Sequence, residues 1–197
     1  DPYSFRCIPQ VHGPVQESFQ KLIETVSIEL NSSTDNPLIF PTPENPGPHE
    51  VVSQGNFHAE VLALVADAMS LGLFELSSIS ERRIDQMLDP DRRALRPFLA
   101  ENPGLESGLM IVQYVAAASL GELRGHANPR TAFSTTTSAG QEDHVSMGAT
   151  ASWNLLEAIQ RCREVLACEA FVAHRAIQLI ERPSSTCIES LIRCMNN

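Results

Sequence analysis

Seven consecutive residues, Gln141-Glu142-Asp143-His144-Val145-Ser146-Met147, gather an amide, two carboxylates and an imidazole in one short stretch. A carboxylate at the mouth of an apolar bundle is a candidate general base. The heptapeptide precedes the longest helical pattern of the chain, which places its acids in a helix's first turn, where the dipole favours them. First-turn acids and a solvated histidine are also a sufficient reading by themselves. Tyr3 and Arg6, three residues apart, form a second set. An arginine fork suits a carboxylate, and a tyrosine hydroxyl moves a proton if a nearby cation lowers its pKa. On the residues alone, a surface arginine and a half-buried tyrosine are the favoured explanation. The third set runs from Gln54 to Glu60, where Gly55 and Asn56 permit unusual backbone angles before a helix and Phe57 is free to face a ligand. His58 and Glu60 invite a metal assignment, but they lack the i, i+4 spacing of a helical zinc motif and no cysteine pair accompanies them. A capped helix start with no metal is expected there.

The elements that must position these residues are helical. Val15, Phe19, Leu22, Ile23, Val26 and Leu30 line one face of an amphipathic helix over 15–30, with Pro14 at its first turn. Asn31 to Gln54 is turn chemistry, including a proline-rich run over 41–48, with Leu38-Ile39-Phe40 and Val51-Val52 able to pair as a short strand excursion within 36–56. Helices are expected over 57–88 and 105–123, both apolar nearly all round and therefore buried against other subunits or a further segment. The last pattern, about 143–181, keeps a seam of Leu155, Ile159, Cys162, Leu166, Ala170, Ala173, Ile177 and Ile180 and should stop at Pro183. The fold class is all-α, with 1–182 as one helical domain and 183–197 as a tail of undefined structure.

A composition that is 43% hydrophobic, in 197 residues, suits one globular domain. A net charge of −10 argues against nucleic-acid or anionic-membrane surfaces. The five cysteines show no paired framework, so a reducing, cytoplasmic setting is the simpler expectation. The chain shows no secretory pattern and opens as if continuing something longer. Its most apolar run, Val61 to Leu76, is too short to span a bilayer.

Taken in order, several segments resemble the aromatic amino-acid ammonia-lyases, and the histidine-specific branch most. Asp1-Pro2-Tyr3-Ser4-Phe5-Arg6-Cys7-Ile8-Pro9-Gln10-Val11-His12-Gly13 is similar to that family's "QDxYSLRCxPQVxG", and Glu29 to Pro37 to its "ELNSxTDNP". Ser53 to His58 is similar to "SGGNFH" apart from Gln54, Ser78 to Ile84 to "SLSERRI", and Ser107 to Ile111 to "NSGFMI". Thr137 to Met147 is similar to "TSANQEDHVSM", with Gly140 in place of asparagine. The likeness fades after about Glu181.

The resemblance implies long central helices assembled as a homotetramer, with active sites built from three subunits. It implies non-oxidative elimination of ammonia from L-histidine to give urocanate. Phenylalanine or tyrosine ammonia-lyase, an aminomutase, or an inactive helical assembly fragment are the alternatives. By the same resemblance Tyr3 is implicated in proton transfer and Arg6 pairs the substrate carboxylate. Phe57 lies beside the cofactor and substrate. Glu142 faces the substrate amine and side chain as a base, with Gln141 supporting it and His144 orienting the loop. The family's electrophile, methylidene-imidazolone (MIO), forms from an Ala-Ser-Gly tripeptide absent from this chain; Ser138-Ala139-Gly140 has another order and lies in another motif. An N-terminal half of the same enzyme is therefore an expected partner, and this chain alone is expected to be inactive.

Overall fold

The computed structural model describes residues 1–42, 45–93, 95–180 and 185–195. It is helical apart from one hairpin. Helix α1 is Tyr3–Arg6 and α2 is Ile8–Glu29; strands β1 (Leu38–Thr42) and β2 (Asn45–Val52) follow. Then come α3 (Glu60–Leu88), α4 (Pro90–Arg93), α5 (Met110–His126), α6 (Gly148–Ile180) and α7 (Thr186–Met195). The expected strand excursion is real: β1 and β2 pair antiparallel with Leu38 opposite Val52 and Phe40 opposite Glu50. Pro43 and Glu44 of the proline-rich run, and Pro183, lie outside the described residues.

The boundaries differ from expectation for physical reasons. Helix α2 begins seven residues ahead of Val15 and carries Pro14 inside it, so Pro9 holds the favourable first-turn place instead. Helix α6 begins at Gly148 and not near Asp143, because Met147 has a positive φ of 55° that breaks the helical path. The tail is not shapeless, for α7 occupies ten of its residues.

The chain divides into two compact units. One comprises Asp1–Val11, Glu75–Leu123 and Gln160–Asn197. Its core packs Ile84, Leu88, Leu99, Ala116, Val172 and Ala176, which are nearly or wholly buried. Around that core Glu169 accepts hydrogen bonds from Ser80 Oγ (2.6 Å) and Arg83 Nη2 (2.7 Å). The close approach of Phe98 O to Gly108 requires glycine there: a Cβ would stand 2.3 Å from that oxygen.

The other unit comprises His12–Phe74 and Arg124–Ile159. Ala63, Ala66, Met69, Ala151 and Leu155 form its core, with Val15, Leu22 and Leu73 against it. Asp67, 6% exposed, accepts the backbone N–H groups of Arg130 (2.9 Å) and Thr131 (3.0 Å), tying the loop after α5 to α3. Asn154 accepts from Arg130 Nη2 at 2.6 Å and donates to His126 O at 2.8 Å. These buried polar groups are matched by partners, as burial demands.

The seam of α6 is shifted from expectation. Its inward positions are Ala151, Leu155, Ala158, Cys162, Val165, Glu169, Val172 and Ala176, at alternating steps of four and three. Ile159, Leu166, Ala170, Ala173 and Ile177 each fall one position late. The seam passes through a carboxylate that Ser80 and Arg83 satisfy, and a purely apolar pattern steps around it.

Among the described residues one helix, α3, is long and apolar enough to cross a membrane. Its second half buries Glu81, Arg83 and Gln86, and Arg83 is ion-paired to Glu169. That marks it as the core helix of a packed domain.

Candidate active site

The heptapeptide is a loop, not a helix start. Ser138–Gly140 make a single 3-10 turn in which Ser138 and Ala139 have positive φ, and Gly140 follows at +92°. Glycine adopts that angle without strain. Thr137 N–H donates to Glu142 O at 2.9 Å, closing the turn. The hydroxyls of Thr137 and Ser138 both donate to Glu142 Oε2, the latter at 2.7 Å. Those bonds, Thr137's first, hold the Glu142 carboxyl below the ordinary glutamate range. The favourable environment for this acid is two hydroxyls, not a helix dipole.

His144 anchors the far side of the loop. Its Nδ1 lies 3.4 Å from Ser134 Oγ, which also accepts the N–H of Val145 at 2.9 Å. His58 Nε2–H donates to His144 O at 3.0 Å, and the two rings stack with centroids 5.6 Å apart. His144 Nε2 faces Glu60 Oε2 at 3.8 Å. Just beyond, Gly148 packs on Ala59 so closely that a Cβ would stand 2.9 Å from the alanine methyl. The start of α6 is thereby set against the residue before α3.

The Phe57 loop is fixed by residues of two resembled motifs. Asn36 Oδ1 accepts the N–H of Gln54 at 3.0 Å, and Asn56 Nδ2 donates to Ser33 O at 2.6 Å. The Gln54 amide donates to Asp35 O and its oxygen accepts the N–H of Asn56. Gln54, where the resembled motif has glycine, therefore staples the loop.

The result is a cavity of about 420 Å³ lined by Phe57, His58, Gln141, Glu142, Asp143 and His144, among others. Phe57 is 55% exposed, an uncovered aromatic face beside an ionised carboxylate. Phe57, Gln141 and Glu142 are thus brought together. Tyr3 and Arg6 belong to the other unit, on α1, which is held by buried Ser4 and by Phe5 under the Arg93 guanidinium at 3.9 Å. Both are left exposed to solvent.

Sequence reasoning gave no role to Thr137, Ser138 and Ser134. Hydroxyls four and five residues before an acid are the legible signal for the first two. Spacing and the missing cysteine pair argue against metal ligands at His58 and Glu60 within their own segment. The fold adds His144, and ligand atoms of the three lie within 4.8 Å of one another.

The family model for aromatic amino acid lyases matches residues 1–196, past the point where the motif resemblance fades. Histidine ammonia-lyase of Bacillus mycoides (strain KBAB4) is 46% identical over 178 residues, 90% of this chain and 34% of that protein. The enzyme of the same name from Halalkalibacterium halodurans is 44% identical over 179 residues, 91% of this chain and 34% of its own. Among solved structures, histidine ammonia-lyase from Trypanosoma cruzi superposes with a TM-score of 0.91 at 38% identity, covering 98% of this chain and 38% of that one. Phenylalanine aminomutase from Pantoea agglomerans gives 0.90 at 33% identity, covering 98% and 37%. The chain spans about a third of the length of the curated relatives it matches. With the motifs in order along the chain and the same helical fold, the chain belongs to the aromatic amino acid lyase family.

Proposed function

We propose that the protein carrying this chain is a carbon–nitrogen lyase that eliminates ammonia from L-histidine to give urocanate, a step of histidine catabolism. In this reading the chain supplies one wall of the active site. The observation that carries the reading is the shared cavity of Phe57, Gln141 and hydroxyl-bound Glu142. Names of relatives near 45% identity favour histidine as substrate.

Elimination removes the substrate's β-proton, breaks the bond to the amino nitrogen and forms a carbon–carbon double bond. Ammonia is a poor leaving group, and MIO supplies the electrophilic assistance when present. An exposed aromatic face, an amide and an anion on one wall fit a site of that kind. The Glu142 carboxyl, held low by Thr137 and Ser138, stays ionised. It is then a poor proton acceptor and a good partner for a substrate ammonium or imidazolium. Phe57 offers a flat apolar surface to the ring, and Gln141 supports Glu142. Arg6 fixes the substrate carboxylate, lowering the entropy cost of orientation. Proton removal falls to Tyr3.

The Ala-Ser-Gly precursor of MIO belongs to a further region of the enzyme, and sites drawing on three subunits of a cytoplasmic homotetramer complete the arrangement. Residues 1–182 act as the C-terminal part of the lyase helical domain and 183–197 as its tail. A second reading, a phenylalanine aminomutase, has the close Pantoea agglomerans structure in its favour. Assaying the whole protein on histidine, phenylalanine and tyrosine separates them. The expected result is turnover of histidine well above the other two. Preference for phenylalanine, or formation of a β-amino acid, overturns it.

A further inference from the structure

His58 and Glu60 flank Ala59 at the entry to α3, and His144 arrives from the loop before α6. Their ligand atoms lie within 4.8 Å of one another, and His144 Nε2 is 3.8 Å from Glu60 Oε2. Ligands of a tetrahedral zinc at about 2.0–2.1 Å stand somewhat over 3 Å apart. The three ligand atoms are spread wider than that and draw together on binding.

The second nitrogen of each ring carries the stronger argument. Metal-bound histidines present their other ring nitrogen to a carbonyl, carboxylate or similar acceptor, which fixes the tautomer and the ring plane. Here the His58 Nε2–H donates to the carbonyl of His144 at 3.0 Å, which leaves Nδ1 as the lone pair. His144 Nδ1 faces Ser134 Oγ at 3.4 Å, which leaves Nε2 on the Glu60 side. Two imidazoles and one carboxylate, oriented this way and partly exposed, match the donor set of borderline divalent metals with open positions for water.

We propose that His58, Glu60 and His144 form a divalent transition-metal site of the zinc class, bridging the start of α3 and the loop that carries Glu142. A bound ion holds that loop to the residue next to Phe57. The site is independent of the substrate assignment, because its ligands are not the groups given roles in elimination.

The test is metal binding by the full 197-residue chain, after stripping with chelator, using Zn2+ in calorimetry and Co2+ in visible absorption. The expected result is one ion per chain, with the visible bands of nitrogen and oxygen ligation and no thiolate charge-transfer band. A C187S/C194S variant, lacking the two exposed thiols, should bind identically. His144→Ala, His58→Gln and the near-isosteric Glu60→Gln should each weaken binding by at least about 100-fold, since loss of an outer-shell partner alone costs 10–100-fold. Ser134→Ala should cost about 10-fold by the same rule. Circular dichroism in chelator separates folding loss from ligand loss. Absence of stoichiometric binding, unchanged binding in all three ligand variants, or binding that vanishes in the cysteine variant overturns the proposal.

Discussion

Thr137 and Ser138 decide how Glu142 behaves. Each donates a hydroxyl to the same carboxylate oxygen, and both bonds are stronger to the ionised group than to the protonated one. The folded-state pKa is therefore lowered from its unfolded value. The sign follows: the linked stabilisation is present above the ordinary glutamate range near 4.3 and is lost as pH falls through the lower folded value. Glu142 resolved by carbon-13 NMR should titrate below the ordinary glutamate range, and T137V/S138A should move it back up. An unchanged titration in that variant would show that the hydroxyls are bystanders. The thiols divide by burial in the same way. Burial pushes Cys162 and Cys168 up, so a thiol reagent at neutral pH should modify exposed Cys187 and Cys194 first, followed by mass spectrometry. Early labelling of Cys162 would contradict this. At this scale residue type was legible in the sequence and environment was not. The carboxylate of Glu142 could be picked out, but its hydroxyl partners depend on a turn with positive φ at Ser138 and Ala139, which no periodicity announces.

Helix α6 shows what periodicity can and cannot deliver. Its existence, its end near Ile180 and its inward Leu155 and Cys162 follow from apolar spacing alone. Elsewhere the inward face takes Ala158, Val165, Glu169 and Val172, and Arg83 and Ser80 supply partners for the inward carboxylate. The resembled "SLSERRI" segment thus has a structural task in this chain, to satisfy Glu169. Arg83 is 9% exposed and Glu169 19%, so the pair is largely withdrawn from water. Removing one partner of such a pair costs about 3–5 kcal/mol, with the solvent contact of Glu169 favouring the lower end. Glu169→Ala should lower the urea midpoint by an amount worth about 3 kcal/mol, with Glu169→Gln milder. A loss under about 1 kcal/mol would show the pair to be screened as a surface pair is. Helix starts were the least legible feature. Met147's φ and the close seating of Gly148 on Ala59 set where α6 begins, and both are tertiary facts.

For the whole molecule, the apolar girth of α3 and α5 was legible as burial against something further. Leu64 and Leu71 on α3, and Ile111, Tyr114 and Val115 on α5, remain exposed in the described chain. Each helix thus keeps large apolar side chains uncovered, of the kind a further chain or segment would cover. A chain spanning a third of its relatives' length leaves room for that covering. The same account places the reactive electrophile outside these residues and the substrate's anionic partner, Glu142, within them. Urocanate formation, followed by ultraviolet absorbance, tests this division directly. It should be measured with the 197-residue chain alone, with the protein extended by the family's Ala-Ser-Gly-bearing region, and with the extended protein carrying Glu142→Gln. The account predicts no product from the chain alone, turnover from the extended protein, and a loss of about 100-fold or more with the substitution, as for removal of one electrostatic partner. Urocanate from the chain alone, or full turnover in the Glu142→Gln protein, would contradict it.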